Sequence, residues 1–188
     1  MVFAVAGCGH TAKATVDRSD LPDIVLQPKD LGASFSQFDE GKQTTLDAHP
    51  GPRHDPSRFG REEGWKARYR RVGAIARGAA VVESRADLFG SVSGAEKDLD
   101  AYRKELDAEI PGSGATTTLL DAPRIGDASV AAELRQGPLI FFTVAWRDAN
   151  ATGSVTVQGR TATTTLAGAL ALARIQERRV ARAAGPTR

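Results

Sequence analysis

The residue types best suited to chemistry gather in one loop. His49-Pro50-Gly51-Pro52-Arg53-His54-Asp55 sets two imidazoles and a carboxylate close together, with Asp47 just upstream. Zn²⁺ or Cu²⁺ needs three or four such ligands fixed in space, and imidazole with carboxylate is a donor set both ions accept. His49, His54 and Asp55 are therefore the candidate ligands of a metal-binding protein or metal-dependent hydrolase. Against that, Arg53 places a cation between the ligands, and a Pro-rich loop holds its ligands still only when packed. Patterns for nucleophilic catalysis are missing. There is no Gly-x-Ser-x-Gly turn, and no Ser pairs with a credible His and acid. Ser91 and Ser93 are explained by a strand-to-helix turn and its cap. Gly112-Ser113-Gly114 lacks a following Lys and precedes a strand, so it is no phosphate cradle. The acids Glu96, Asp98, Asp100, Glu105 and Asp107 alternate with Lys97, Arg103 and Lys104, a solvated helix face with i,i+4 pairing. No cofactor is expected.

The single cysteine excludes an intramolecular disulfide and a thiolate metal cage. Its neighbours are informative. Val5-Ala6-Gly7-Cys8 resembles the bacterial lipobox, in which small residues precede a Cys that is lipidated and becomes the first mature residue. A signal peptide also needs a basic region and an apolar stretch of roughly 7–15 residues. The residues before Cys8 supply neither in full, so the expectation places the rest upstream of Met1. Residues 1–8 are then a signal-peptide remnant and residues 9–20, with His10, a polar tether. The implied partner is a membrane, reached through lipid on Cys8, at the outer face of the cytoplasmic membrane. If the lipobox is spurious, the chain is a cytosolic interaction module.

The 188 residues suit one domain, with 41% hydrophobic and 26% charged residues, as in an ordinary globular protein. A formal net charge of +2 and 6% aromatic residues give no support to nucleic-acid binding. Local charge is less even. Arg53, Arg58, Arg61, Lys66, Arg68, Arg70 and Arg71 cluster, and a second arginine group closes the chain. Either suits an anionic membrane or polymer, or simply solvation and a helix C-terminus. Trp65, Trp146 and Arg147, with Arg68 and Arg70, are the candidates for a pocket or binding surface. A lone Trp on a strand is otherwise core. Asn150-Ala151-Thr152 matches a glycosylation acceptor and reads here as a turn.

These residues must be placed by a frame of alternating segments. Leu21 to Gly32 predicts a short helical entry, with Pro28 at a first-turn position and Gly32 as its stop. Strands are predicted over Ser34–Phe38, Gly64–Val72 and Ala79–Phe89 from their period of two. In the second of these, Lys66, Arg68 and Arg70 form a wet cationic face. Ser93 to Ile110 predicts a helix with a Ser93/Glu96 capping box. Strands follow over Thr116–Leu120, Ala128–Leu134, Leu139–Trp146 and Gly153–Gln158, the third apolar enough to be doubly buried. Thr165 caps a last, Ala-rich helix running to about Ala183. The fold class is α+β: an antiparallel sheet of about five to seven strands packed by two main amphipathic helices. The domain spans 21–183, and 184–188 is a disordered tail.

Three stretches carry a further resemblance: Ala80-Val81-Val82-Glu83-Ser84 running to Leu88-Phe89, Ile125-Gly126-Asp127, and Val144-Ala145-Trp146-Arg147-Asp148-Ala149-Asn150. They resemble uncharacterised lipoprotein domains of high-GC Gram-positive bacteria. The element order is similar to the PsbP/Mog1-type sandwich of LpqN-type lipoproteins, with a cystatin- or NTF2-like curved sheet as runner-up. The resemblance implies a non-catalytic envelope domain that binds a small ligand or an envelope protein, and carries over no site residue.

Overall fold

A computed structural model describes residues 15–43, 55–73, 78–108, 114–121 and 123–185. Helices α1 (Leu21–Ile24) and α2 (Pro28–Leu31) precede strands β1 (Phe35–Lys42), β2 (Arg61–Arg71) and β3 (Ala79–Phe89). Helix α3 (Val92–Asp107) follows, then β4 (Ala115–Leu120), β5 (Ala128–Gln136), β6 (Leu139–Asp148), β7 (Ala151–Arg160) and helix α4 (Leu166–Ala183). All seven strands form one antiparallel sheet in the order β1-β2-β3-β7-β6-β5-β4. The α+β class, the antiparallel sheet and the two main helices agree with the expectation.

One face of the sheet is covered by α1 and α4. The Thr165 hydroxyl accepts from Gly168 N at 3.3 Å and starts α4 where expected. Ala169 and Ala173, both fully buried, let the helix backbone come close to the strands. Leu21, Ile24, Val82, Val144, Trp146 and Val155 fill the layer between. Burying such a side chain stabilises the fold by roughly 1.5–3 kcal/mol. Trp146 lies flat against β7: a Cβ at Gly153 would stand 2.6 Å from its Cζ2. Only a residue without a side chain fits there.

The other face carries α3 over Leu99, Val130 and Ala145. Its cap differs from the expected one. Ser91, extended at φ −155° and ψ 155°, accepts from Gly94 N at 3.1 Å, and the helix starts at Val92. Ser93 is already inside the first turn, where its hydroxyl cannot reach back to cap. The helix closes at Asp107, with Ala108 extended.

The tether expected over 9–20 is also corrected. Val16 is 2% exposed and belongs to the core. Its N–H donates to Asn150 Oδ1 at 2.8 Å, and Asn150 Nδ2 donates to the carbonyls of Val16 and Phe89 at 3.3 and 3.1 Å. From Val16 onward the segment is therefore part of the domain. Asn150 is buried and its amide is committed, which rules out the glycosylation reading.

A second buried polar group joins α4 to the sheet. Gln176, fully buried, donates to the Arg85 carbonyl at 2.7 Å and accepts from the Ser84 hydroxyl at 2.7 Å. Ser84 Oγ accepts from Leu26 N at 2.9 Å, and the Tyr69 hydroxyl donates to Leu26 O at 2.6 Å. Burial, with Glu40 and Asp30 adding repulsion, pushes the Tyr69 phenol up to about 12. A raised pKa favours the protonated form in the folded state. The Tyr69 contribution is thus complete below the ordinary phenol pKa of about 10 and is lost as pH rises through the folded value. Ultraviolet titration of phenolate is expected to show one tyrosine ionising near 12 in the folded protein. Tyr69→Phe removes that transition and costs about 1 kcal/mol, because the Leu26 carbonyl loses its donor.

Candidate functional site

The residues proposed from sequence fall on different parts of the molecule. Cys8, His49 and His54 lie outside the described residues. Asp55 caps a short 3₁₀ turn over Pro56–Phe59, accepting from Ser57 N at 2.9 Å and from the Ser57 hydroxyl at 2.6 Å. Those bonds hold its carboxyl below the ordinary value. Among the described residues, no group of three or more His, Cys, Asp or Glu is placed to hold a metal.

Trp65 and Trp146 both face the α1/α4 layer, but β3 and β7 stand between their strands. Strand spacing of about 4.8 Å sets their backbones roughly 14 Å apart. Trp146 is core, and Trp65 is half-buried, with its indole N–H 3.4 Å from Glu40 Oε1. Arg147 lies on the opposite face, paired with Asp127 at 2.8 Å. Beside it the Asp148 carboxyl is pushed up by burial and by Asp127 and Glu177, against the pull of Arg147.

Arg68 and Arg70 belong to a more organised array on the α3 side. Antiparallel register sets Asp39, Arg68, Glu83, Thr156 and Thr143 side by side across β1, β2, β3, β7 and β6. The next row holds Gly41, Lys66, Arg85, Ser154 and Ala145, and the one after it Gly64, Asp87, Thr152 and Arg147. Cross-strand neighbours stand about 4.5–5.5 Å apart, so the polar side chains of these rows meet one another within and between rows. Arg68 Nε lies 2.7 Å from Glu83 Oε2 and its Nη1 lies 3.4 Å from Asp39 Oδ2. Lys66 Nζ is 3.0 Å from the same Asp39 oxygen, and Arg85 pairs with the other oxygen of Glu83. The hydroxyls of Thr143 and Thr156 meet at 3.0 Å.

At the lower end Arg61 pairs with Asp87 and donates to Gln43 O at 2.9 Å. A Cβ on Gly64 would collide with both Arg61 and Asp87. The glycine is what lets this ion pair lie on the strand. Asp98 of α3 accepts from the Thr152 hydroxyl at 3.1 Å, joining the helix to the same array. At the upper end Arg70 is exposed, with its guanidinium 5.9 Å from the ring of Phe38, itself 47% exposed.

The wet cationic face expected on β2 is therefore dry at Lys66 alone, with Arg68 half-buried and Arg70 exposed, while the β3 ions beside it are buried. Lys66 is 7% exposed, Arg85 1%, Glu83 8% and Asp87 2%. Ions removed from water cost several kcal/mol each unless they are paired and hydrogen-bonded, and a buried ion pair is weak support for stability in itself. Interlocked pairs do fix the direction of the Arg61, Arg68 and Arg85 guanidinium groups. Arg68 and Arg70 stand at the open end of this ladder, where planar N–H forks suit an oxyanion.

Asp39, Glu83, Arg85 and Asp87 were not singled out from sequence. Their signal was present: a run of cations at every second residue of one strand, and Glu83 and Asp87 at the same period on the next. Setting the two strands in antiparallel register opposes Arg68 to Glu83 and sets Lys66 and Arg85 in the next row, within reach of Asp39 and Glu83.

No family model and no curated protein matches the chain. Its fold is similar to that of the extracellular domain of PknH from Mycobacterium tuberculosis, with a TM-score of 0.60 at 10% identity. The match covers 92% of this chain and 98% of that one. This likeness establishes a shared fold and lends nothing to the PsbP/Mog1-type sandwich that the element order was expected to give.

Proposed function

We propose that the chain is a bacterial envelope domain that binds rather than catalyses, and that a small phosphate-bearing ligand seats at the Arg68/Arg70 end of the polar ladder. The observation that carries this is the buried, mutually paired row Asp39–Arg68–Glu83–Arg85 with Lys66. It is costly to keep, yet it holds the Arg68 guanidinium in place beside the exposed Arg70 at an open edge. Preorganised donors lose little freedom when they capture an anion. An extracytoplasmic location is supported by the kinship of fold with a domain named as extracellular, and by the lipobox-like run ending at Cys8. Among the described residues no helix is long and apolar enough to cross a membrane, so lipid on Cys8 is the anchor in this reading.

Inorganic pyrophosphate titrated into the ¹⁵N-labelled protein is expected to shift the amides of β1, β2 and β3 around Arg68. Arg68→Ala combined with Arg70→Ala should weaken binding by about tenfold or more, the scale of a lost charge-assisted hydrogen bond. Added salt should weaken it further, because Arg70 is exposed. Unchanged β1–β3 amides in the wild type would sink the ligand assignment. Mass spectrometry of protein expressed with its upstream region checks the anchor: diacylglyceryl on Cys8 is the expected result, and an unmodified Cys8 removes it.

A further inference from the structure

On the opposite side of the sheet, between the start of α4 and the α2–β1 connection, lies a cavity of about 210 Å³. Leu31, Phe35, Val82, Val157 and Leu172 give it apolar walls, and Arg71, Thr163 and Thr164 stand in its polar part. Three observations there point to a ligand.

First, Arg71 has no carboxylate partner among the described residues. Its Nε donates to Ala79 O at 2.7 Å and its Nη1 to Ser34 Oγ at 3.2 Å, while the guanidinium carbon sits 4.6 Å from the centre of the Phe35 ring. These contacts use two of the five N–H donors an arginine carries and hold the group still. Second, the Thr163 hydroxyl is buried with no hydrogen-bond partner. An unmet buried hydroxyl is unfavourable unless something else supplies the bond. Third, Asp30, the acid that also lines the cavity, is already neutralised. It pairs with Arg179 at 2.7 Å and accepts from Gln27 N at 2.7 Å.

We infer that this cavity binds a small amphiphilic carboxylate, its carboxylate on Arg71 and the Thr163 hydroxyl and its apolar body against Phe35, Val82, Val157 and Leu172. The volume is below the roughly 300–1,000 Å³ of drug-sized sites and suits a short-chain acid rather than a phospholipid. An amine of the same length would set a cation against an uncompensated arginine. This site is separate from the polar ladder, which has no comparable apolar wall.

The probe is hexanoate, with hexylamine and inorganic pyrophosphate as controls, followed by amide shifts and calorimetry on the full chain. Saturable hexanoate binding is expected, with shifts at Phe35, Ala79 and Gly168, no such binding of hexylamine, and no displacement by pyrophosphate. Two variants separate the parts of the proposal. Gly168→Leu fills the mouth without a clash, since a Cβ there meets nothing nearer than Thr165 Oγ1 at 3.6 Å. Arg71→Met keeps an apolar stem over Phe35 and removes the charge. Each should weaken hexanoate by about tenfold or more while the rest of the amide spectrum stays native. Hexanoate binding unaffected by Gly168→Leu overturns the cavity. Binding unaffected by Arg71→Met, or hexylamine bound as well as hexanoate, overturns the carboxylate assignment. No hexanoate binding by the wild type overturns the whole.

Discussion

Gln176→Leu is expected to lower the unfolding free energy by about 3 kcal/mol, although leucine is close to glutamine in volume and leaves no cavity. The loss comes from what remains behind. The Arg85 carbonyl loses its Gln176 donor and the Ser84 hydroxyl loses its acceptor, both in a place that water does not reach. Each stranded buried group costs roughly 1–3 kcal/mol. Because Ser84 also receives Leu26 N, the disturbance reaches the α1–α2 connection, whose other hold is the Tyr69 hydroxyl. For a domain of this size the melting temperature should fall by about 6–12 °C. Adding Ser84→Ala is expected to cost less than the sum of the two single changes, since the second deletion removes a group the first had stranded. Strict additivity in urea denaturation would show that the network is not coupled.

Asn150→Ala is the second large effect. One side chain satisfies the N–H and C=O of Val16 and the C=O of Phe89, thereby holding the N-terminal segment, the end of β3 and the β6–β7 turn together. Truncation to alanine leaves the chain two options. Either three backbone groups stay buried without partners, at about 1–3 kcal/mol each, or the segment around Val16 leaves the core to find water. The second is the cheaper, so the measured cost is expected to be about 2–4 kcal/mol, the value of docking Val16. Hydrogen exchange distinguishes the options: the Val16 amide should become unprotected while the amides of β3 and β7 remain slow. Asn150→Asp is a sharper probe, because it retains the acceptor for Val16 N–H and loses both donated bonds. Native protection at Val16 in Asn150→Ala would show that apolar contacts alone hold the segment.

Much of this frame was legible because it follows from short-range rules. The Thr165 cap, the Ala-rich face of α4 and the apolar run of β6 each announce themselves within a few residues, and the structure has them in place. The Ser91/Ser93 difference is a local competition that composition does not decide. Either serine is a good cap, and the outcome depends on which keeps an extended backbone after β3 ends. The longer reach of β1 and β2 was hidden for a different reason. Asp39, Lys42 and Glu63 look like loop residues until their partners across the strand are known, and Lys66 looks wet for the same reason. Partners across strands depend on register and on the bulge between Gln37 and Asp39, which lie beyond a reading of one strand at a time. Val16 was missed because its clamp, Asn150, lies far along the chain. The polar ladder shares that character, since every rung joins residues from different strands.

The strand order has a consequence for how the chain reaches this state. β1, β2 and β3 form one meander of sequence neighbours, and β4, β5, β6 and β7 form another. The two meet at a single seam where β3 pairs with β7, from Ala79 opposite Gly159 to Leu88 opposite Ala151. Zipping that seam closes a loop of roughly sixty residues, an entropic cost that must be met before its contacts repay it. Folding is thus expected to proceed as two quickly formed halves joined in a slower step. Substitutions on either side of the seam, at Val82 or Val155, should slow folding more than equally destabilising ones within a meander. The rungs Glu83–Thr156 and Asp87–Thr152 span that seam, whereas Asp39, Lys66, Arg68, Arg70, Glu83 and Arg85 all lie within the first meander. The cavity beside Arg71 is different: Val82 of β3 and Val157 of β7 face each other across the seam in its wall, so a half-zipped molecule would have all its strands and no such cavity.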